Sequence, residues 1–339
     1  MLSIKMIQEL LCCPNCKGHL NLEVFSSDEL GVQEGRLYCS SCEQEYSIKE
    51  GIFYLQPRSE VTASSEDWDL DSLNKLYGGA GNYRSGVEWG EYIGIPRQFM
   101  EYSEPRIKGR LFEWFEAPDD GIILDIGAGT GYFIFELMSK CRDKDVFFVG
   151  IDPAVEHIKW LENRRRAEKC NNVLTIVGDG RSLPFRRQSF DTIVCSEVLE
   201  HIPAKREAIA EMAYCLKTGG LLLLSTPSKK AVDFWNHVFG PLAWALRTVL
   251  RTKAASLPYD TPTDPKELSV YLTEAGFALE KFELNVILPP TIYFAHLPRF
   301  SARLVTLICG FLESHMKKLL APHFAWHTVV CARKIASGR

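Results

Sequence analysis

The amino-acid sequence predicts an α/β protein: a parallel sheet with helices on both faces, preceded by a small metal-stabilised N-terminal domain. Three observations predict it. From residue 121 onward, short apolar runs alternate with segments of helical periodicity, the pattern of βαβ units. A glycine-rich turn, Gly127-Ala128-Gly129-Thr130-Gly131, joins the first of those runs to the helix after it. Two Cys-x-x-Cys pairs, Cys13/Cys16 and Cys39/Cys42, stand within the first fifty residues.

Composition sets the bounds. With 339 residues, 46% hydrophobic and 24% charged, the chain has the make-up of an ordinary globular protein, with room for one large core and something small. The 39 basic and 43 acidic residues leave a net charge of −4. That excludes a surface coated with positive charge for nucleic acid, though not a local basic face. No apolar run approaches the ~20 residues needed to span a bilayer. The start, Met1-Leu2-Ser3-Ile4-Lys5, lacks the apolar core of a secretory signal, so the expected location is the cytoplasm. In a reducing compartment, spaced pairs among the eleven cysteines point to metal before disulfides.

The first unit, residues 1–56, follows from that reasoning. Two knuckles separated by 22 residues can place four thiolates around one structural Zn2+, which supplies the stability that so small a core lacks. Residues 20–24 and 36–38 read as strands, with Gly18, Gly31 and Gly35 at turns. Cys12 breaks the two-residue spacing that Cys13 keeps. The pattern Cys13-Pro14-Asn15-Cys16, Leu20, Cys39 to Cys42, Tyr46-Ser47-Ile48 and Gly51-Ile52 resembles that of small zinc-ribbon proteins, with Ser47 where proline is usual. The resemblance implies a closed, structural metal site.

Residues 57–118 read as a polar linker followed by an aromatic-rich, glycine-broken stretch. It is suited either to a lid or to simple packing, and a helix is expected over 105–117. The catalytic unit is expected over 119–335. Its first strand, 121–126, runs through Asp125 into the glycine turn and a helix from Tyr132 to Lys140. The next strand, 146–151, ends in Asp152, where a carboxylate can bind both hydroxyls of a ribose. The dinucleotide fingerprint needs a glycine at 132, but Tyr132 stands there. Asp125-Ile126-Gly127-Ala128-Gly129-Thr130-Gly131 instead resembles the first motif of class I S-adenosylmethionine-dependent methyltransferases.

Later stretches resemble that family in order: Gly178-Asp179-Gly180 after the third strand, Leu183-Pro184-Phe185, 189–195, and Leu216-Lys217-Thr218-Gly219-Gly220 leading into the fifth strand. The resemblance implies a Rossmann-like seven-stranded sheet and S-adenosyl-L-methionine as cofactor. It implies a binding set of Asp125, Gly127, Gly129, Gly131, Asp152, Asp179, Gly180 and Ser196, with Asp179 at the adenine amino group. The chain is therefore expected to be a methyltransferase.

Ser196-Glu197-Val198-Leu199-Glu200-His201 lies at the C-terminal edge of the fourth strand, where ligands of open α/β sheets sit. Glu197, Glu200 and His201 are the catalytic candidates. Three readings remain open: a divalent ion such as Mg2+ with Asp260 completing the shell, His201 as general base, or a structural turn. The spacing resembles that of ubiquinone-pathway O-methyltransferases.

Two amphipathic insertions, 229–259 and 289–322, carry apolar faces with basic flanks. Arg247, Arg251 and Lys253 mark the first; Arg299, Arg303, Lys317 and Lys318 mark the second. Segments 229–253 and 299–320 either pack on their own domain or touch a membrane. The expected function is methylation, on oxygen, of a small or lipid-like acceptor (quinone or glycolipid) by a cytoplasmic protein at the inner membrane face. Nucleic acid is not the expected partner. The alternative is an rRNA or tRNA methyltransferase docking through its ribbon, with Arg164-Arg165-Arg166 and Arg186-Arg187 as its basic groups. A protein that binds the cofactor without turnover is a further alternative, disfavoured by the intact Asp125, Asp152 and Asp179.

Overall fold

Strand-forming runs and apolar-periodic helices alternate along the chain, and the computed structural model shows how they assemble. It describes residues 4–58, 88, 95–238, 261–287 and 299–336. In chain order the N-terminal part contributes helix α1 (Ile4–Leu10) and strands β1 (Leu20–Asp28), β2 (Gly31–Cys39), β3 (Glu45–Lys49) and β4 (Ile52–Leu55). Helix α2 (Arg97–Trp114) leads into β5 (Asp120–Ile126), α3 (Tyr132–Lys140), β6 (Asp145–Asp152), α4 (Val155–Ala167), β7 (Val173–Gly178) and β8 (Phe190–Ser196). A 3₁₀ turn (Leu199–His201) precedes α5 (Lys205–Cys215) and β9 (Leu216–Pro227), followed by α6 (Pro265–Glu274), β10 (Phe277–Asn285), α7 (Arg299–Phe324) and β11 (His327–Lys334).

The expected seven strands form in the order β7-β6-β5-β8-β9-β11-β10, all running the same way except the inserted β11, which is antiparallel to both β9 and β10. The ribbon does not stand apart from them. Strand β4 pairs in parallel with β7, through Phe53↔Ile176, Tyr54↔Val177 and Leu55↔Gly178, so that one eleven-stranded sheet runs from β1 to β10. Backbone pairing at an otherwise open edge removes its unpaired N–H and C=O groups. One apolar core follows: Leu11, Leu20, Leu37, Ile48 and Leu55 of the ribbon pack in the same buried cluster as Ile151, Ile176 and Phe185.

A buried ion pair locks this junction. Arg165 Nε and Nη2 each donate to Glu162 at 2.6 Å, while its Nη1 donates to the carbonyls of Leu30 at 3.0 Å and Cys170 at 3.1 Å. Gly51, at φ +82, is required here because a Cβ would stand 2.6 Å from Glu162 Oε1. The structure places the three arginines of the run differently. Arg165 is 3% exposed, Arg164 bonds Glu168, and Arg166 bonds Asp28 and Gln33 across to the ribbon. Arg186 donates to the carbonyl of Gln8.

Helix α2 begins at Arg97, eight residues before the expected start at Pro105. Proline inside the helix costs one backbone N–H, and the Arg106 guanidinium donates to the Tyr102 carbonyl nearby at 2.7 Å. Phe99, Tyr102, Ile107, Leu111 and Trp114 hold its buried face. The expected linker and aromatic-rich stretch over 59–94, Glu88 aside, lies outside the described residues, as do 239–260 and 288–298 of the two insertions. Among the described residues, no helix is long and apolar enough to cross a membrane.

Candidate active site and metal centre

Five loops meet at the C-terminal ends of β5, β6, β7, β8 and β9. The first carries the glycine turn. Gly127, Gly129 and Gly131 all take positive φ, at 69°, 52° and 87°. The N–H groups of Gly127 and Ala128 donate to the Ile151 carbonyl, and Gly129 N donates to Asp152 Oδ2 at 2.9 Å. Asp152 Oδ1 accepts from Ala154 N at 2.8 Å. The end of β6 thereby fixes the loop after β5. A Cβ at Gly127 would sit 2.2 Å from Val198 Cγ2, so the backbone lies directly against the β8 loop. Gly127→Ala is expected to weaken S-adenosylmethionine binding roughly tenfold or more, since a positive φ and a clash both act on the loop. Calorimetric titration checks this, and an unchanged affinity refutes the assignment.

Asp125 is buried, and among the described residues its Oδ2 has no hydrogen-bond partner. Burial, then the Asp152 carboxylate, push its pKa well above the ordinary value, with Lys108 pulling the other way. Asp179 accepts from Arg181 N at 2.8 Å and from the Arg181 guanidinium at 2.8 and 3.0 Å. Ser196 Oγ lies 2.9 Å from Ser225 Oγ, and Gly180 packs near Ile126 and Ile202. An orphaned buried carboxylate, a glycine cradle and three acids along one edge fit a cationic nucleoside such as S-adenosylmethionine.

Glu197, at φ 57°, turns back over the sheet. Its Oε1 accepts from Ser225 Oγ at 2.7 Å, and its Oε2 lies 2.6 Å from His327 Nε2. Burial works against the charged form, but His327 and Ser225 outweigh it and hold the Glu197 pKa below the usual value. His327 is 2% exposed, packs edge-on against Trp326, and has no hydrogen-bond partner at Nδ1 among the described residues. Sequence reasoning missed His327. It lies 130 positions from Glu197 and reaches it only because β11 inserts beside β9, with His327 opposite Pro227. No local signal marks it.

Glu200 is buried, its Oε2 accepting from Thr226 Oγ1 at 3.2 Å and its carbonyl from Thr261 N at 2.9 Å. His201 is half-buried at the end of the 3₁₀ turn. The divalent-ion reading has no geometric support. Among the described residues, the four ribbon cysteines are the one group of three or more ligands brought together, and Asp260 lies outside those residues.

Those four, Cys13, Cys16, Cys39 and Cys42, have sulfurs within 4.8 Å of one another. The pairs Cys13–Cys42 and Cys16–Cys39 are 3.6 and 3.5 Å apart. Zinc with bonds of about 2.3 Å needs sulfur–sulfur edges of about 3.8 Å, so the cage fits. Burial opposes the Cys39 thiolate, but the backbone N–H groups of Cys42 and Ser41 help bring it down to about 7. Tyr46 Oη lies 3.2 Å from the Cys13 sulfur.

Comparison with known proteins agrees with this geometry. Residues 118–255 match the family described as a methyltransferase domain, and residues 5–51 match the Trm112p-like proteins. An uncharacterized methyltransferase of Bacillus subtilis, YcgJ, is 28% identical over 141 residues, 40% of this chain and 54% of that protein. A tRNA U34 carboxymethyltransferase of Desulfotalea psychrophila is 26% identical over 213 residues, 61% and 57%. A demethylmenaquinone methyltransferase of Paenarthrobacter aurescens is 29% identical over 153 residues, 45% and 54%. The chain spans about half the length of the curated relatives it matches. The chain is thus similar over residues 118–255 to a methyltransferase domain and over residues 5–51 to the Trm112p-like proteins, and the second stretch holds the four clustered cysteines.

Proposed function

We propose that this protein transfers the methyl group of S-adenosylmethionine to an oxygen of a lipid-like, quinol-type acceptor. The observation that carries the acceptor class is where the first insertion begins. Strand β9 ends at Pro227 on the reaction edge, and the chain turns helical at Lys229, with Ser228 N donating to the Trp326 carbonyl at 2.7 Å. That helix presents exposed Phe234 and Val238. An apolar surface beside the methyl-transfer edge suits an acceptor with a greasy tail, and the demethylmenaquinone methyltransferase relative supports the same class.

The bound cofactor supplies an electrophilic methyl on a sulfonium sulfur. The protein's part is to align the acceptor and take its proton. His201 is the base: it stands half-buried on the turn after β8, and an imidazole nitrogen can accept the acceptor's proton. Glu197, kept ionised by Ser225 and His327, supplies fixed negative charge at the same edge. Glu200 holds the turn through Thr226 and Thr261. The cofactor set is Asp125, Gly127, Gly129, Gly131, Asp152, Asp179, Gly180 and Ser196.

The test is to incubate the protein with methyl-labelled cofactor and host extract, then separate lipid, RNA, protein and small-molecule fractions. Label in the lipid fraction is expected. His201→Ala should lower kcat by about 10²–10⁴-fold with cofactor affinity unchanged. Label on a ring carbon would leave the lipid class standing and refute oxygen. Label in RNA would favour the second reading, a ribbon-docked RNA methyltransferase, which the Trm112p-like match and the tRNA-modifying relative support.

A further inference from the structure

Among the described residues, nothing covers one long face of helix α7. Leu304, Leu307, Ile308, Phe311 and Leu319 are 50%, 63%, 51%, 61% and 65% exposed. Their spacing of three, four and seven residues places them on a single stripe. The opposite face is already used: Ala302, Cys309 and Ala321 are buried, and Lys317 reaches Glu283 at 3.0 Å. Glu313, the only acidic residue of the helix, is turned inward. It takes Arg106 Nε at 2.7 Å and Val286 N at 3.1 Å, and Tyr102 Oη also bonds it. The outer face therefore carries no carboxylate, while Arg303 and Lys318 stand exposed on it beside His315.

We propose that this face of α7 docks the protein on an anionic lipid surface. The charge pattern selects that occupant. A second copy of the chain, packed antiparallel across the stripe, would set Arg303 against Lys318 and repel. A nucleic acid would meet five large apolar side chains at the centre of the patch and, among the described residues of the helix's outer face, two fixed charges. A membrane interface takes both halves of the pattern, apolar side chains into the acyl boundary and basic groups against anionic headgroups. The surface also continues past the end of the helix. Phe234 packs on Phe324 with ring centroids 4.9 Å apart, and Trp235 Nε1 donates to the Phe324 carbonyl at 3.0 Å. Docking needs no methyl transfer, so it stands apart from the acceptor proposed above.

Co-sedimentation of the full zinc-loaded chain with vesicles tests it. The protein should pellet with vesicles of phosphatidylcholine mixed with phosphatidylglycerol and far less with phosphatidylcholine alone. Leu307→Ser with Phe311→Ser should reduce partitioning roughly tenfold or more, while the melting curve stays in place because both side chains are exposed. Arg303→Glu with Lys318→Glu should abolish the preference for the anionic vesicles. Three results would overturn the proposal: wild-type protein left in the supernatant with the mixed vesicles, a Leu307/Phe311 variant that binds as well as wild type, or a solution dimer that this variant dissociates while vesicles bind neither form.

Discussion

Stripping the metal from the four-cysteine ribbon is expected to lower the melting temperature of the whole chain and to weaken S-adenosylmethionine binding by about tenfold or more. The reason is what the first knuckle touches. The Pro14 carbonyl accepts from Ser182 Oγ at 2.5 Å, and Cys12 N donates to the Pro184 carbonyl at 2.9 Å. Lys17 Nζ donates to the Leu183 carbonyl at 2.8 Å and to Glu211, which in turn accepts Leu183 N. Residues 182–184 lead directly out of the Asp179 loop, and Ser182 N donates to the Asp179 carbonyl at 3.1 Å. Without the metal, the knuckle loses its shape and the Asp179 loop loses its wall. Chelation followed by calorimetry and cofactor titration measures both effects, and Cys39→Ser should reproduce them. A metal-free chain with unchanged melting and affinity would show that the ribbon is a passenger.

Arg165→Ala should destabilise the protein by about 3–5 kcal/mol, because it removes both 2.6 Å guanidinium bonds from the buried Glu162 carboxylate, leaving it Thr175 and the more distant Arg166, and takes a donor from two carbonyls. For a chain of this size that amounts to a fall in melting temperature of roughly 4–7 °C. Arg164→Ala, one residue away, should cost about 1 kcal/mol or less, since its partner Glu168 is half-exposed. Denaturant titration of both variants separates the two. Equal and small losses would mean that the ribbon is not clamped to α4 through Arg165.

Much of this was legible before the fold was known. Glycine and apolar periodicity give α3 the same bounds, Tyr132–Lys140, in sequence and structure. The doubled Cys-x-x-Cys marks the metal cage through ligand spacing alone. The buried Arg165 carried a readable signal as well. It shares the spacing of Ile158, Leu161 and Glu162, the buried face of α4, while Arg164 and Arg166 flank it. What was not legible depends on distant geometry. Ile52-Phe53-Tyr54-Leu55 has the apolar run of a strand, but its partner β7 begins 118 residues after Leu55, and nothing local names it. The Glu197–His327 contact is set by β11 entering between β9 and β10, a topological choice with no trace near either residue.

The central claim is that the edge built from the glycine turn, Asp125, Asp152 and Asp179 binds S-adenosylmethionine. Calorimetric titration of the zinc-loaded chain tests it most directly. One-to-one binding is predicted, weakened roughly tenfold or more by Asp152→Ala, which removes the carboxylate that fixes Gly129 and that the proposed site assigns to the ribose. No binding to the wild-type chain, or equal binding to the variant, would contradict the account.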